Sequence, residues 1–380
     1  MLKKCRLSLF FILLLITGRF CYAEIITING KVIIDKPTRY KNVTLDLSRG
    51  YFSIVSNGSL EIESSLINGI ISPENKQLLQ ISSGNLILRN NKFNISVRNI
   101  PPNPSDSIGY YMINLLQGGV NITNNEFKID KPYTVGFFVT NQLPNSHLTF
   151  DNNKIAYFHG GILLRNTTDS TIVNNQFTNV GLSNILNLEC NNNVLIKNSI
   201  YFPGNNNVGD GIDIISSDNI LISENIIASG SCYSIVISNS NSINIDRNRV
   251  MGGITYAIYV EPFLSKNVLN KHLLNLSVKK KIINKNKNIS ITNNYFAQNR
   301  YGLATINVDG LIVKNNIFVQ RFSNNNNRQF WTNNDILLQN TENIIWENNL
   351  YKEAFTQESP GCNVNSTKFV IFPLHGGVTL

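Results

Sequence analysis

The sequence predicts an all-β chain, a single-stranded parallel β-helix (solenoid) of about eleven coils. Three observations carry this. Asn makes up 62 of 380 residues, and Asn is poor in helix interiors and strands but favoured at turns. One phrase, apolar-x-apolar-x-x-Asn-x-apolar, recurs along the chain. Within each copy apolar residues alternate, as in Val120-x-Ile122 and Ile243-x-Ile245, which is the period of strands. Charged residues are only 15% and hydrophobic residues 42%, which excludes a disordered, strongly charged chain.

The chain opens with the layout of a targeting segment. Lys3, Lys4 and Arg6 precede an apolar run over residues 7–16, and Cys21-Tyr22-Ala23 forms a small-x-small cleavage site before Glu24. The run is too short for a membrane span of ~20 residues. Residues 1–23 are therefore expected to be a cleavable signal peptide. The mature protein would be exported, periplasmic or secreted, with no transmembrane segment. Heavy Asn, Ile and Lys usage fits a bacterial, AT-rich source. Cleavage removes four basic residues and lowers the net charge from +9 to +5. Three cysteines remain, Cys190, Cys232 and Cys362. An odd number is no disulfide framework, so the core must hold the fold.

Residues 24–351 are expected to form the solenoid, with residues 24–50 covering its first coil. The phrase aligns on Asn91, Asn125, Asn153, Asn175, Ser199, Asn225, Asn248, Asn294, Asn316 and Asn349. The residues two after and three before each anchor are apolar or aromatic, among them Ile196 and Tyr201 around Ser199. An earlier copy has Ser65 at the anchor place. Anchor intervals never fall below 22, with longer ones carrying insertions, which is the signature of a repeat solenoid. A turn Asn tolerates left-handed geometry, and a buried amide can bond to the amides above and below. The column is thus read as an Asn ladder. Residues 352–380 are expected to cap the last coil, because open coils expose strand edges.

These repeats resemble the right-handed parallel β-helix of the pectin-lyase-like superfamily over roughly residues 40–351. The resemblance implies handling of polysaccharide along one outer face. Members include pectate lyases, polygalacturonases, mannuronan epimerases and non-catalytic periplasmic proteins. Gly209-Asp210-Gly211-Ile212-Asp213-Ile214 resembles the Asn-Thr-Asp-Gly-Ile-Asp phrase of polygalacturonases and places Asp210 at their first catalytic Asp. The following coil reads Ser229-Gly230-Ser231-Cys232-Tyr233 and lacks their Asp pair. The Asp-Pro-His-Asp phrase of mannuronan epimerases is also absent.

A second strand precedes each anchor. Its inward pairs read Ile162/Leu164, Leu186/Leu188, Ile212/Ile214, Ile235/Ile237 and Ile258/Val260. The outward residues between them are Leu163, Asn187, Asp213, Val236 and Tyr259, followed by Arg165, Glu189, Ile215, Ser238 and Glu261. On this alignment Arg165 and Glu189 are vertical neighbours suited to an ion pair. Glu189 and Asp213 are diagonal neighbours on the order of 8 Å apart, a separation suited to acid and base flanking a water. Arg165 would neutralise a uronate carboxylate, while Tyr259 or His159, the latter in Phe158-His159-Gly160-Gly161, would move protons. Asn187, Asp210 and Glu261 would line the substrate face. The alternative is an ordinary solvated strand face with one surface ion pair. No zinc spacing or calcium nonapeptide occurs. Asp210 and Asp213 could hold calcium, and no other cofactor is implied.

Residues 262–287 form the largest insertion, with Lys266, Lys271, Lys279, Lys280, Lys281, Lys285 and Lys287 and no acid. Such a flap would attract a polyanion. After export that means an acidic polysaccharide or another polyanionic surface rather than nucleic acid. A smaller insertion carries Phe330-Trp331, a candidate sugar platform or loop anchor. The expected function is binding or processing (lyase, epimerase or hydrolase type) of an acidic polysaccharide. The rival is a non-catalytic surface, matrix or periplasmic accessory protein.

Overall fold

A computed structural model of the chain describes residues 24–100, 109–140, 147–201, 209–228, 233–252, 255–262, 285–297, 299, 301–321, 336–354 and 370–371. The expected signal peptide, the lysines from 266 to 281, Cys232, Cys362 and Phe330-Trp331 lie outside these residues. All described secondary structure is β, and the strands pair in parallel from one coil to the next.

One coil shows the plan. Gln176–Thr178, Ile185–Leu188 and Val194–Ile196 lie on three different faces. Each pairs in register with its counterpart below (Lys154–Ala156, Ile162–Arg165, Thr171–Val173) and above. The first and second faces belong to a 24-stranded sheet, and the third is a 12-stranded sheet running from Pro37–Lys41 to Glu342–Glu347. Twelve third-face strands compare with about eleven expected coils. The segment expected to lie over the first coil instead supplies its strands. Ile25–Ile34 pairs with Thr44–Ile54, and Pro37–Lys41 with Ser59–Glu63. Of the expected C-terminal cap, residues 352–354 and Val370–Ile371 are described: the first continue the Leu350–Ala354 strand, which pairs with Ile317–Arg321, and the second pairs with Ile336–Gln339.

The interior is stacked aliphatic and aromatic columns, since each inward position meets its equivalent ~4.8 Å away in the next coil. Phe93, Phe127, Phe137 and Phe158 pack in a chain with ring centroids 4.6, 4.6 and 5.4 Å apart. All four rings are buried. Aromatic contacts of this kind add about 0.5–1.5 kcal/mol beyond area burial.

The Asn ladder is present and continuous from Asn91 to Asn349. From Asn125 onward, the Oδ1 of each ladder Asn accepts both the backbone N–H and the side-chain Nδ2 of the Asn one coil earlier, at 2.8–3.1 Å. Each Nδ2 from Asn91 onward also donates to a carbonyl of the preceding coil, such as Asn225 to Leu195. Buried amides would otherwise be costly, and here their donors and acceptors are used.

One member differs from the sequence alignment. The ladder passes through Asn198 rather than Ser199, with Asn175 donating to it and Asn198 donating to Asn225. Leu195 and Ile200 are accordingly buried, while Tyr201 is 53% exposed. Leu195 and Ile196 are both apolar, so hydrophobicity alone could not fix the register by one residue.

The expected left-handed turn belongs to the residue before each anchor, not to the anchor. Asn90, Asn124, Asn152, Asn174, Lys197, Glu224, Arg247, Asn293, Asn315 and Asn348 all have φ between 53° and 59°. Asn tolerates this region best among residues with a side chain, which explains the Asn-Asn dipeptides of the sequence.

Candidate functional site

The candidate residues cluster on the second face, where Ile162–Arg165, Ile185–Leu188, Ile212–Ile215, Tyr233–Ser238 and Tyr256–Glu261 follow one another. Register sorts them. Ile162, Ile185, Ile212, Ile235 and Ile258 form one inward column, and Leu164, Asn187, Ile214, Ile237 and Val260 the other. The outward column is Leu163, Leu186, Asp213, Val236 and Tyr259.

Two expectations are corrected by this. Asn187 points inward, not to a substrate face. It is fully buried, and its Oδ1 accepts Asn193 Nδ2 at 2.7 Å. The Leu186/Leu188 pair, read as inward, faces outward, yet both leucines are buried. Burial on both sides removed the alternation on which the alignment depended.

Glu189 is likewise one residue out of place. It follows the strand in the left-handed turn (φ 54°), and its N–H donates to Ile215 O. It therefore lies three residues along and one coil away from the Asp213 column, rather than diagonal to Asp213. The Arg165–Glu189 ion pair does form, with Nε and Oε2 3.5 Å apart and side chains only 13% and 6% exposed. Arg165 is also fixed through its backbone, which both receives from and donates to Thr140 Oγ1.

Asp213 is outward-facing but fully buried, so it is not part of a solvated strand face. Its Oδ2 accepts the hydroxyl of Ser183, which is also buried. Asp210 is 4% exposed and caps the next coil by accepting the Tyr233 N–H at 3.1 Å. Both aspartates thus serve hydrogen bonds within the coils rather than an open calcium site. Among the described residues no group of three or more His, Cys, Asp or Glu could hold a metal. Among the described residues no helix is long and apolar enough to cross a membrane. His159 is half-buried at the entry to the Arg165 strand, where its N–H donates to Val135 O and its carbonyl accepts Leu182 N–H.

At the other end of the face Tyr259 Oη donates to Glu261 Oε2 at 3.1 Å. Burial, reinforced by the Glu261 carboxylate, holds the Tyr259 phenol well above the usual phenol range. Tyr259 belongs to a tyrosine cluster. Tyr233, Tyr256 and Tyr301 occupy one register position on three successive coils. Their ring centroids are 6.2 and 4.6 Å apart, and Tyr259 packs beside Tyr233 at 5.1 Å. All four are half-buried.

Comparison with known proteins agrees with this geometry. The family model described as "Right handed beta helix region" matches residues 111–270. The fold is a right-handed parallel β-helix. Among solved structures, this β-helix is similar to a point mutant of the periplasmic alginate epimerase AlgG. The identity is 13%, covering 87% of this chain and 85% of that one, with a TM-score of 0.49. It is also similar to the Dettilon tailspike protein (12% identity, 83% and 61% coverage, TM-score 0.38). A third similarity is to the Streptococcus pneumoniae surface protein and adhesin PfbA (12% identity, 87% of each chain, TM-score 0.39). No curated protein matches the sequence.

Within the β-helix, sequence reading found Tyr259 but missed Tyr233, Tyr256 and Tyr301. A signal was present. Each missed Tyr stands two residues before an inward aliphatic, in Tyr233-Ser-Ile235, Tyr256-Ala-Ile258 and Tyr301-Gly-Leu303. Ser183, the partner of Asp213, had no such signal, because it comes before the strand rather than within it.

Proposed function

We propose that the mature protein is exported and binds an acidic polysaccharide along the second face, between Arg165 and Glu261. The observation that carries this is the tyrosine column. Tyr combines an apolar body with a polar tip, which suits a surface that is part wet and part covered. Three such side chains recur at the coil rise of ~4.8 Å, close to the length of one pyranose unit in an extended chain. A glycan lying along the solenoid axis would meet a Tyr rim at each coil. Their ring faces are largely used against one another, so rims and hydroxyls do the recognising. Residues 262–287, which follow Glu261 in the sequence, carry the lysines that would favour an acidic chain. Export is supported by the signal-peptide layout of residues 1–23.

Binding is the reading best supported. A hydrolase, lyase or epimerase needs an acid or base that reaches its substrate, and Asp213 is buried while Glu189 is 6% exposed. That same burial favours, as the second reading, a non-catalytic surface or periplasmic accessory role. If the face is catalytic, Glu189, Asp213, Arg165, Tyr259 and His159 remain its candidates. Proton NMR of residues 24–380 with polyuronates and with neutral glycans separates these readings. Polyuronate line broadening without new signals is the expected result, weakened several-fold in Tyr256→Ala and Tyr301→Ala. New reducing or unsaturated ends that vanish in Asp213→Asn or Glu189→Gln would establish an enzyme. No effect on any glycan would leave the accessory role.

A further inference from the structure

The outward side of the third face carries a further inference. Its twelve strands stay in register from Pro37–Lys41 to Glu342–Glu347. Two outward columns run the length of the face. One begins with Arg39 and Glu61, passes through Thr149, Thr171, Val194 and Leu221, and ends on Ile312 and Ile345. The other reads Lys41, Glu63, Arg89, Thr123, Asp151, Val173, Ile196, Ser223, Asp246, Thr292, Lys314 and Glu347. Half-way along, Val173, Val194, Ile196 and Leu221 form an apolar patch across three adjacent strands. Each of the four keeps part of its surface in solvent.

The second column is its own complement when reversed. Set end for end against itself, it places Lys41 opposite Glu347, Glu63 opposite Lys314 and Arg89 opposite Thr292. Thr123 then meets Asp246, Asp151 meets Ser223, and Val173 meets Ile196. The first column brings Thr171 opposite Val194 and Thr149 opposite Leu221, and sets no charge against a like charge. Within one chain Lys41 pairs with Glu63 at 3.1 Å, and Lys314 with Glu347 at 3.0 Å. Reversal joins these two pairs into a square of alternating charge at each end of the contact, while the apolar patch covers its own copy at the centre.

Other registers fail on the same charges. A slip of one coil sets Glu347 on Glu63 and Lys314 on Arg89 in one direction, and Lys314 on Lys41 in the other. Two faces set together without reversal oppose Arg39 to Lys41 and Glu61 to Glu63. Like charges set against one another across an interface suppress the wrong pairing.

We propose that a second copy of this chain packs third face to third face and end for end, about a two-fold axis that runs along the strands between Thr171–Val173 and Val194–Ile196. Sheets packed face to face lie ~10 Å apart, a gap that interdigitated Val, Ile and Leu side chains fill. Side-chain ladders let a many-stranded sheet stay flat, and the Asn ladder runs beside this face, so the contact extends along the solenoid. Strands ~4.8 Å apart, with outward residues ~6.6 Å apart, give the twelve-stranded face on the order of 600 Å² per copy. That is the lower end for a specific interface. The apolar centre supplies the affinity. The exposed ion pairs at the ends are worth little by themselves and set the register. An isologous contact closes, so assembly stops at two.

The test is sedimentation velocity of residues 24–380 from about 1 μM to about 500 μM. The wild type is expected to pass from monomer to dimer and no further. Ile196→Arg sets two guanidinium groups beside the axis and is expected to stay monomeric across that range. Lys41→Glu and Glu347→Lys are each expected to weaken the dimer several-fold. Mixed in equal amounts they are expected to dimerise more tightly than either does alone, because both ends of the mixed dimer then pair opposite charges. Circular dichroism identifies any variant that has not folded, and the charge-swap mixture decides by itself should Ile196→Arg be one. A wild type that stays monomeric or grows beyond a dimer, or a folded Ile196→Arg chain that dimerises like the wild type, would overturn the proposal. So would a mixture no tighter than its separate components.

Discussion

Asn198 and Ser199 are adjacent, yet the fold gives them unequal tasks. Asn198 Oδ1 accepts from Asn175 twice, and its Nδ2 donates to Ile172 O and to Asn225 Oδ1. Asn198→Ala leaves buried donors and an acceptor without partners and should cost about 3 kcal/mol. Ser199→Ala, at a half-exposed outward position, should fall within about 0.5 kcal/mol. Urea unfolding of the two variants checks the register directly. Equal effects would restore Ser199 to the ladder. Cys190 permits a second residue-level prediction. It is buried, and burial raises its thiol from 9.0 to about 11. A group raised in the folded state stabilises fully below its unfolded value and loses that contribution as pH climbs through the folded one. Stability should therefore decline from pH 9 to 11, by about 2–3 kcal/mol in all. Tyr111, raised from 10.0 to about 12 by its own burial, joins in only above pH 10. Between pH 9 and 10 the decline should be absent in Cys190→Ser, measured by urea titration at each pH.

Single strands were legible where one side faces water and illegible where neither does. Thr171–Val173 shows the half-buried alternation from which its register could be read. Ile185–Leu188 and Ile212–Ile215 are buried on both sides, and there Leu186, Asn187 and Glu189 were each placed one residue out. The burial that hid the register also makes the Arg165–Glu189 pair consequential. Exposed ion pairs contribute little, but removing one partner of a nearly buried pair leaves the other uncompensated. Glu189→Gln should destabilise by about 3 kcal/mol, with much of the loss recovered in the Arg165→Met/Glu189→Leu double variant. Thermal and urea unfolding of the three proteins tests this. An additive double variant would mean that the two charges do not depend on each other.

Across the whole molecule, stability should be graded rather than uniform. Each coil touches only its neighbours, so a solenoid behaves as a row of units joined by nearest-neighbour interfaces. Backbone amide exchange should be slowest from Asn153 to Asn248, where ladder partners lie on both sides, and fastest in Ile25–Ile34. Equal protection along the chain would contradict this. The coil count and parallel order were legible at this scale because a 22-residue floor and an apolar alternation repeat many times, so a single misplaced anchor changes nothing. The ends were not legible in the same way. Residues 24–50 lack the phrase, and their strands are recognisable only from the pairings they make.

The 22-residue step from Asn153 to Asn175 has a consequence for how such a protein can change over time. Asn152 and Asn174 share the same left-handed geometry (φ 53° and 56°). Excising residues 153–174 would splice Asn152 directly to Asn175, and the turn, the amide donor and the following strand would all stay in phase. Duplicating the same stretch would add a coil by the same logic. Length in this molecule is therefore a copy number, open to the gain or loss of cassettes that share their turn and ladder positions, while the chemistry of each face is inherited or lost one whole coil at a time.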